Sequence, residues 1–519
     1  MTLLETDVLV IGGGSTGAGV AWDSALRGLH VTLVDRGDLA TGTTGRFHGL
    51  LHSGGRYVVK DPSSARECAR ENAILRRVAA DCIEDTGGLF LTTPLDDPAY
   101  ADRFLAGCRE AEIPVEEIPV AAALRREPRL NPRISRAFTV PDASVDAWKT
   151  VWACVRGATA HGARVLPYHS VVKLQVEGGA VRGAVLHDHR SGSEVSIEAR
   201  CVVNASGAWS GQVAKLAGCE VGVVPGKGIM VAMNHRIVNT VVNRCTMPGD
   251  GDIIVPIRTV CVIGTTDVPV ADPDAIEATA AEVAEMMAAG EALVPGFGQS
   301  RALRVWAGAR PLLPKSSAPG DVKDTRDVTR SHSVLDHAQR DGVDNFVTIT
   351  GGKFTTFRLM AEDAVNLVTR KLGEERTCRT ATEPLPDSES QHYYWLGARQ
   401  EEMEAGAADD PLICECELVS RRDLQLAVAR RPGAQLDDLR RALRVGMGPC
   451  QGGFCAFRVA SLLHQEGHFD RSQANRSLRA FVEERWKGVK PISWGDQVRQ
   501  TRLDEWILQG ILDLEHLPE

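Results

Sequence analysis

Asp7–Gly37 reads DVLVIGGGSTGAGVAWDSALRGLHVTLVDRG. The apolar run from Val8 to Ile11 predicts a buried strand. It enters Gly12, Gly14 and Gly17, spaced G-x-G-x-x-G, and a helical segment from Ala18 to Arg27 follows. A second strand-like run, Val31 to Val34, ends on Asp35. Each residue type answers a physical need. Gly12 permits a tight turn, Gly14 lets a pyrophosphate approach the backbone, and Gly17 lets helix and strand pack closely. The helix start offers free N–H groups and the positive end of a dipole to phosphates. An acidic residue closing the second strand accepts hydrogen bonds from ribose hydroxyls. In this order, strand, loop, helix and Asp35 predict a dinucleotide-binding βαβ unit.

Working outward, 519 residues suggest roughly three domains at about 100–200 residues each. Lys and Arg number 59 against 68 Asp and Glu, a formal charge of −9 that argues against nucleic acid as the main ligand. A hydrophobic share of 43 % with 24 % charged residues excludes a disordered chain. No apolar run approaches the ~18–20 residues of a membrane span, and the chain enters a strand at once, without the pattern of a signal peptide. Thirteen cysteines, an odd count and mostly scattered, argue against a disulfide framework and for a reducing, cytoplasmic setting.

Two further glycine signatures decide which dinucleotide is expected. CVVNASGAWS (201–210) puts Gly207 after a strand, and ITGGKFTTFRLMAEDAV (349–365) joins a strand to a helix through Gly351 and Gly352. Three glycine-marked strand ends, remote in sequence, suggest one long ligand lying across the domain, which favours FAD over a nicotinamide cofactor.

The second strong signal is a set of four cysteines. Cys414 and Cys416 have one residue between them; after 33 intervening residues come Cys450 and Cys455, with four between them. The intervening chain predicts two short helices, from about Arg421 and about Gln435, broken at Pro432-Gly433. Four thiolates on two loops suit either Zn²⁺ or a [2Fe–2S] cluster, but C-x-C and C-x₄-C differ from the C-x₂-C pairs of zinc ribbons. Gly446, Gly448, Gly452 and Gly453 offer N–H groups to cluster sulfurs. The other nine cysteines read as small buried hydrophobes. Arg421, Arg422, Arg430, Arg431, Arg440, Arg441 and Arg444 read as a solvated face, or as a dock for an acidic partner. Leu503, Trp506, Ile507, Ile511 and Leu514 fall at helical spacing near the end, among acidic residues, and are expected to pack on their own domain or on a partner subunit.

GGGSTGAGVAWDSALRG, GRFHGLLHSGGRY, IGTTD, GARPLL, DHAQRDGVDNFVTITGGK and ERWKGVKPISWGD together resemble the large (A) subunits of anaerobic glycerol-3-phosphate dehydrogenases, over nearly the whole chain. The resemblance implies an α/β fold: a glutathione-reductase-type FAD-binding domain with an inserted mixed-sheet substrate domain, plus a small helical iron–sulfur domain similar to bacterioferritin-associated ferredoxin. The expected boundaries are about 1–75, 145–225 and 330–375 for the FAD domain and about 76–144 and 226–329 for the substrate domain. A linker over 376–410, a [2Fe–2S] domain over 411–468 and a partner-facing helical tail over 469–519 complete the chain. The implied reaction oxidises sn-glycerol 3-phosphate to dihydroxyacetone phosphate. Electrons then pass to a B subunit, to a membrane-anchoring C subunit, then to a quinone, menaquinone or ubiquinone. That places the chain peripherally on the cytoplasmic face of the membrane. Binding of FMN as a second flavin is left open. Single-subunit relatives carry Ser-Ser-Lys where this chain has Phe47-His48-Gly49. That version is similar to the anaerobic type and also to relatives that oxidise 2-hydroxy acids, so the alternative is an FAD and iron–sulfur dehydrogenase of another 2-hydroxy or amino acid such as L-2-hydroxyglutarate.

The same resemblance implies the site. A phosphate ester needs cations, its hydroxyl a proton acceptor, and the hydride a flavin face. Arg310 and Arg330 match the substrate-binding arginines; a guanidinium fork suits phosphate oxygens. His52 and Arg56, four apart beside Tyr57, are a proton acceptor and a group polarising the hydroxyl or ketone. Lys353 stands beside the flavin ring or the phosphate. Ser15, Thr16, Arg36, Thr43, Thr44, Gly45, Val172 and Trp209 join the glycines, Asp35, His52 and Lys353 in holding the cofactor. His48, His235, His332 and His337 read as structural, with His235 a second candidate base, and Thr265, Thr266 and Asp267 as turn and pocket-wall residues.

Overall fold

Thr2–Ile11 is a central strand of an eight-stranded sheet in the structure, a computed structural model that describes residues 2–314, 328–374, 376–406 and 410–518. It pairs in parallel with Val31–Val34 on one side and Glu194–Asn204 on the other. Phe346–Gly351 lies parallel beside the end of Glu194–Asn204, with Asn204 opposite Thr348. Side chains alternate along the first strand: Val8 and Val10 enter one core cluster, Leu9 and Ile11 another. A strand covered on both faces reads as a continuous apolar run for this reason. Helices Ser15–Leu26, Ala147–Ala160 and Phe357–Lys371 share the first cluster, where Trp22, Cys154, Phe357 and Val365 are buried. Asp146 caps Ala147–Ala160 by accepting from the Lys149 N–H at 3.0 Å, which satisfies an otherwise orphaned donor.

A nine-stranded sheet forms a second layer with its own core. Its longest pairing joins Val224–Met233 to Ala302–Leu312 antiparallel, setting Gly226 opposite Arg310. Strands Gly88–Thr92 and Arg136–Val140 reach it from the earlier part of the chain.

The cysteine region has a third core. Helices Arg421–Arg430 and Leu436–Leu443 stand where the Pro432-Gly433 break divides them, followed by Cys455–Gln465 and Arg471–Val489. Leu424, Leu436, Leu439, Val459, Leu463 and Phe469 pack together with Leu478, Phe481 and Leu514. The structure therefore differs from a boundary at 468, because the first helix of the expected tail closes this core. Farther on, Leu503, Trp506 and Ile511 stay exposed while Leu514 is buried, so the apolar spacing there is only partly used within the chain. No helix among the described residues is long and apolar enough to cross a membrane.

Two other expectations are corrected. The proline-broken stretch from 376 onward is a strap laid on the first domain. Leu385 is fully buried in its core and donates its N–H to Val78 O at 2.7 Å, and Tyr394 N–H reaches Ile83 O at 2.8 Å. Apolar residues spaced within polar sequence carry no periodic signal, so composition alone gave a linker. Of the arginines read as a solvated face, Arg422 and Arg430 are exposed, whereas Arg431, Arg440, Arg441 and Arg444 are turned into ion pairs. Arg431 and Arg441 both pair with Asp38, which is 1 % exposed and lies just after the dinucleotide loop. Arg441 also takes Asp438 at 2.6 Å, Arg440 takes Asp437 at 2.6 Å, and Arg444 takes Glu417 at 2.9 Å and Asp146 at 3.5 Å. The Tyr168 hydroxyl donates to Asp438. The contacts with Asp38, Asp146 and Tyr168 bolt the cysteine module to the first domain, and the remaining pairs brace the module itself.

Asp38→Ala leaves two buried guanidiniums without their shared anion, and breaking such a network typically costs about 3–5 kcal/mol. Denaturant unfolding of the variant is expected to show a loss of that size, with the cysteine module unfolding ahead of the first domain. A single coincident transition at wild-type stability would contradict the bolt.

Candidate active site

The parallel pairing brings the carboxyl ends of three strands side by side: Ile11 with Gly12, Asn204 with the turn to Gly207, and Gly351. Ligands of open α/β sheets bind outside such strand ends. Here an elongated cavity of about 950 Å³ runs along them. At one end Asp35 accepts from the N–H groups of Gly13 at 2.7 Å and Gly37 at 2.8 Å, while burial pushes its pKa up. The helix Ser15–Leu26 starts in the cavity wall, where Ser15 N–H donates to Thr44 Oγ1 at 3.0 Å. Arg36 lies 4.6 Å over the Trp209 ring, and both donate to Asp274. Gly207 lines the cavity at φ 59°, with open space where a Cβ would stand. A trough with a buried carboxylate, a helix start and three glycine-marked strand ends in its wall fits FAD.

Fourteen of the expected cofactor residues line this cavity: Gly12, Gly14, Ser15, Thr16, Asp35, Arg36, Thr43, Thr44, His52, Gly207, Trp209, Gly351, Gly352 and Lys353. Three do not. Gly17 acts behind the wall, since a Cβ there would stand 1.8 Å from Gly12 O. Gly45 faces Trp148 and Ala40 O in a separate cavity. Val172 points to solvent, and its neighbour Val171 lines the site, because adjacent strand residues face opposite ways.

At the other end the cavity gathers cations from four segments. Arg56 pairs with Asp252 at 2.6 Å and donates to Gly249 O at 3.2 Å. Arg310 pairs with Asp267 at 3.0 Å and donates to Thr266 O at 3.0 Å and to Thr265. Arg330 takes the second oxygen of the same Asp267 at 2.8 Å, and its buried Nη1 has no partner among the described residues. Asp267, which the sequence reads as wall, is thus the carboxylate that holds both arginines. Lys353 donates to Arg330 O at 3.1 Å and stands 5.1 Å over the Tyr57 ring. Burial, and repulsion from Arg330 and Arg56, bring the Arg310 pKa down to about 10 despite Asp267.

His52 lies between these cations and the flavin trough, its ring 5.4 Å from Tyr57 and 6.0 Å from His48. Burial, His48, Arg56 and Lys353 hold its pKa well below the ordinary histidine value, so the ring is neutral and open to a proton near pH 7. His48, read as structural, lines the cavity as well; burial, Arg56 and Arg310 bring it down to about 3. No sequence signal separates it from a core histidine, because its neighbours here come from distant segments. His235 bonds to Arg129 at 2.6 Å outside the cavity and is no base for this site.

In the cysteine module the thiols of Cys416 and Cys455 point at Cys450 and, with the Gly452 and Phe454 N–H groups, hold it down at about 2. Cys414 is lowered by Cys455 and by the N–H groups of Gly446 and Glu417. Among the described residues the trio of ligand-type side chains whose donor atoms close to within 4.8 Å is Cys219, His337 and Asp341. Both His337 nitrogens are already engaged, by Asp341 at 2.5 Å and Thr348 at 2.8 Å. The four module thiols are spread more widely than that trio, as a chain of contacts. Eight of the other nine cysteines are buried, and Cys378 is half-buried.

Fold and cleft define a flavin-dependent oxidoreductase, and residues 7–367 match the family described as DAO, FAD dependent oxidoreductase. The chain is 43 % identical over 532 residues to the A subunit of the anaerobic glycerol-3-phosphate dehydrogenase of Escherichia coli K12, covering 98 % of this chain and 97 % of the relative. It is 43 % identical over 540 residues to the A1 subunit of the Haloferax volcanii enzyme, covering 98 % and 91 %. The chain belongs to the FAD-dependent oxidoreductases and, within them, to the family of anaerobic glycerol-3-phosphate dehydrogenase A subunits. Among solved structures, the glycerol-3-phosphate dehydrogenase of Bacillus halodurans complexed with FAD superposes with a TM-score of 0.66 at 20 % identity, covering 94 % of this chain and 96 % of that one. Glycine oxidase of Geobacillus kaustophilus gives 0.56 at 22 % identity, with 74 % and 99 % covered. At these identities the likeness establishes the fold, which is the class expected from the sequence.

His48 gives a pH test. Its native pKa lies below the unfolded value, so between about pH 6.5 and 3 the unfolded chain binds more protons and stability falls as pH falls. One such histidine accounts for up to about 1.4 kcal/mol per pH unit. In the flavin-free protein His48→Asn is expected to flatten the fall in thermal midpoint between pH 7 and pH 4.5. A parallel fall in both proteins would show that His48 titrates normally.

Proposed function

We propose that the chain oxidises sn-glycerol 3-phosphate to dihydroxyacetone phosphate at bound FAD and passes the electrons through a [2Fe–2S] cluster to partner subunits and a membrane quinone. The observation that carries the substrate assignment is the Arg310–Asp267–Arg330 group. One carboxylate serves two guanidiniums, and among the described residues a buried donor, Arg330 Nη1, lacks an acceptor. A dianionic phosphate supplies the missing charge and acceptors; a single carboxylate fills less of this set. The names of the full-length relatives support the same substrate.

When bound, FAD would supply the hydride acceptor. Gly12, Gly14, Ser15, Asp35, Gly207, Gly351 and Gly352 would hold it. Arg310 and Arg330 bind the phosphate and fix the other end of a three-carbon substrate. Neutral His52 takes the C2 hydroxyl proton on a ring nitrogen. The incoming phosphate raises its basicity by offsetting the cations that depress it. Arg56, held by Asp252 and Gly249, polarises the oxygen as a ketone forms. Lys353 and Tyr57 close the same end.

In the module, the spread of the thiols favours a two-iron cluster over zinc. A single tetrahedral ion with bonds of about 2.3 Å draws its four sulfurs to roughly 3.8 Å of one another. Cys414, Cys416, Cys450 and Cys455 would hold the cluster, which supplies one-electron transfer. The relatives' designation as A subunits supports a larger assembly. Here it would include a B subunit, with a membrane-anchoring C subunit that sets this chain peripherally on the membrane.

Arg310→Ala is expected to keep FAD at wild-type content and to lose about 1.5–3 kcal/mol of transition-state binding, roughly ten- to hundred-fold in kcat/KM. Anaerobic mixing decides the substrate: glycerol 3-phosphate should bleach the flavin and L-2-hydroxyglutarate should not, and the reverse outcome would overturn the assignment.

Cys450→Ser is expected to lose iron while glycerol 3-phosphate still bleaches the flavin and a soluble dye still turns over. Quinone reduction by the whole assembly should collapse. Unimpaired quinone reduction without iron, or stoichiometric zinc in anaerobically purified wild type, would remove the relay from the mechanism.

A further inference from the structure

Arg485 lies in ERWKGVKPISWGD, a stretch that the reaction leaves unused, on the helix Arg471–Val489 beneath the cysteine loops. It is 9 % exposed, and no carboxylate among the described residues pairs with it. Its fork is spent on the loops themselves: Nη1 donates to Gly446 O at 3.1 Å and Nη2 to the Gln451 side chain. Both acceptors touch the thiol set directly in sequence or space. The Gly446 N–H points at the Cys414 sulfur, and Gln451 follows Cys450, its amide donating to Met447 O at 3.0 Å and Gly448 O at 2.9 Å. Phe481, one turn before Arg485, fills the space beside Gly446 and Gly452 and fixes helix and loops together.

A buried guanidinium without an anion is costly unless an anion arrives. Its neighbours worsen the imbalance, since Arg304 and Arg440 are cations that act with burial to depress its pKa, and Asp504 only partly opposes them. Two ferric ions, two sulfides and four thiolates make a net dianion, and one electron makes it a trianion. A fixed cation stabilises the trianion more than the dianion. We propose that Arg485 is the internal counter-cation of the metal cluster, a positioning residue that braces both cysteine loops and makes the cluster easier to reduce. The inference rests on the [2Fe–2S] reading above and extends it to a residue outside the ligand set.

The test is a mediated redox titration of the full-length protein, followed by electron paramagnetic resonance and visible absorption, with iron and sulfide assayed on the same samples. Arg485→Gln should retain iron and show a reduced-to-oxidised ratio about tenfold lower at a given potential, equivalent to about 59 mV for one electron. Arg485→Lys, which keeps the charge without the fork, should stay within roughly threefold of wild type. Equal shifts in the two variants, or no shift in either, would overturn the proposal, as would loss of iron from both, which would make Arg485 a strut alone. If only the Gln variant loses iron, Asp504→Asn decides: it removes the opposing negative charge without touching the loops and should move the ratio upward, and no change would overturn the proposal. Absence of iron from wild type is a separate outcome, for it removes the cluster reading itself.

Discussion

Parallel pairing of three strands remote in sequence, Thr2–Ile11, Glu194–Asn204 and Phe346–Gly351, governs the geometry of the cleft. Each pairing fixes the spacing of neighbouring strand ends at about 4.8 Å. Three glycine-containing turns therefore line up along one edge, and a single extended ligand can touch them all. Gly17 keeps the first helix against its strand, so the helix start faces the trough. The second sheet then lays Arg310 over the open end through the register of Val224–Met233 with Ala302–Leu312.

Charge compensation is the second theme. Buried and half-buried arginines recur at three places, and at each the anions among the described residues are informative. At the domain junction, Asp38, Asp437 and Asp438 meet Arg431, Arg440 and Arg441, and the pairs are structurally complete. In the cleft, Asp267 is shared by two arginines, and among the described residues Arg330 Nη1 has no acceptor. Beneath the cysteine loops Arg485 meets only neutral acceptors. The same residue type thus meets a full set of carboxylates, one shared carboxylate or only neutral acceptors, according to what the fold places beside it.

These contacts also tie the two modules together. The strap through Leu385 and Tyr394 and the Asp38 pairs hold the cysteine domain against the first domain over a broad junction.

Much of this was legible in the sequence where the signal is local. Gly12, Gly14, Gly17 and Asp35 fall within one βαβ unit, and chain chemistry over some thirty residues dictates its shape. The cysteine pairs and the Pro432-Gly433 break are equally local, and the resemblance to a family supplied Arg310, Arg330, His52 and Lys353. Only the tertiary structure could show that His48 and Asp267 line the cavity, that Val171 rather than Val172 faces it, and that Arg440 and Arg441 are buried. It also turned the stretch after 376 from a linker into a strap. The physical reason is the same in each case. Burial and ion pairing are set by partners hundreds of residues away, and a side chain's own type carries no record of which partner the fold will bring.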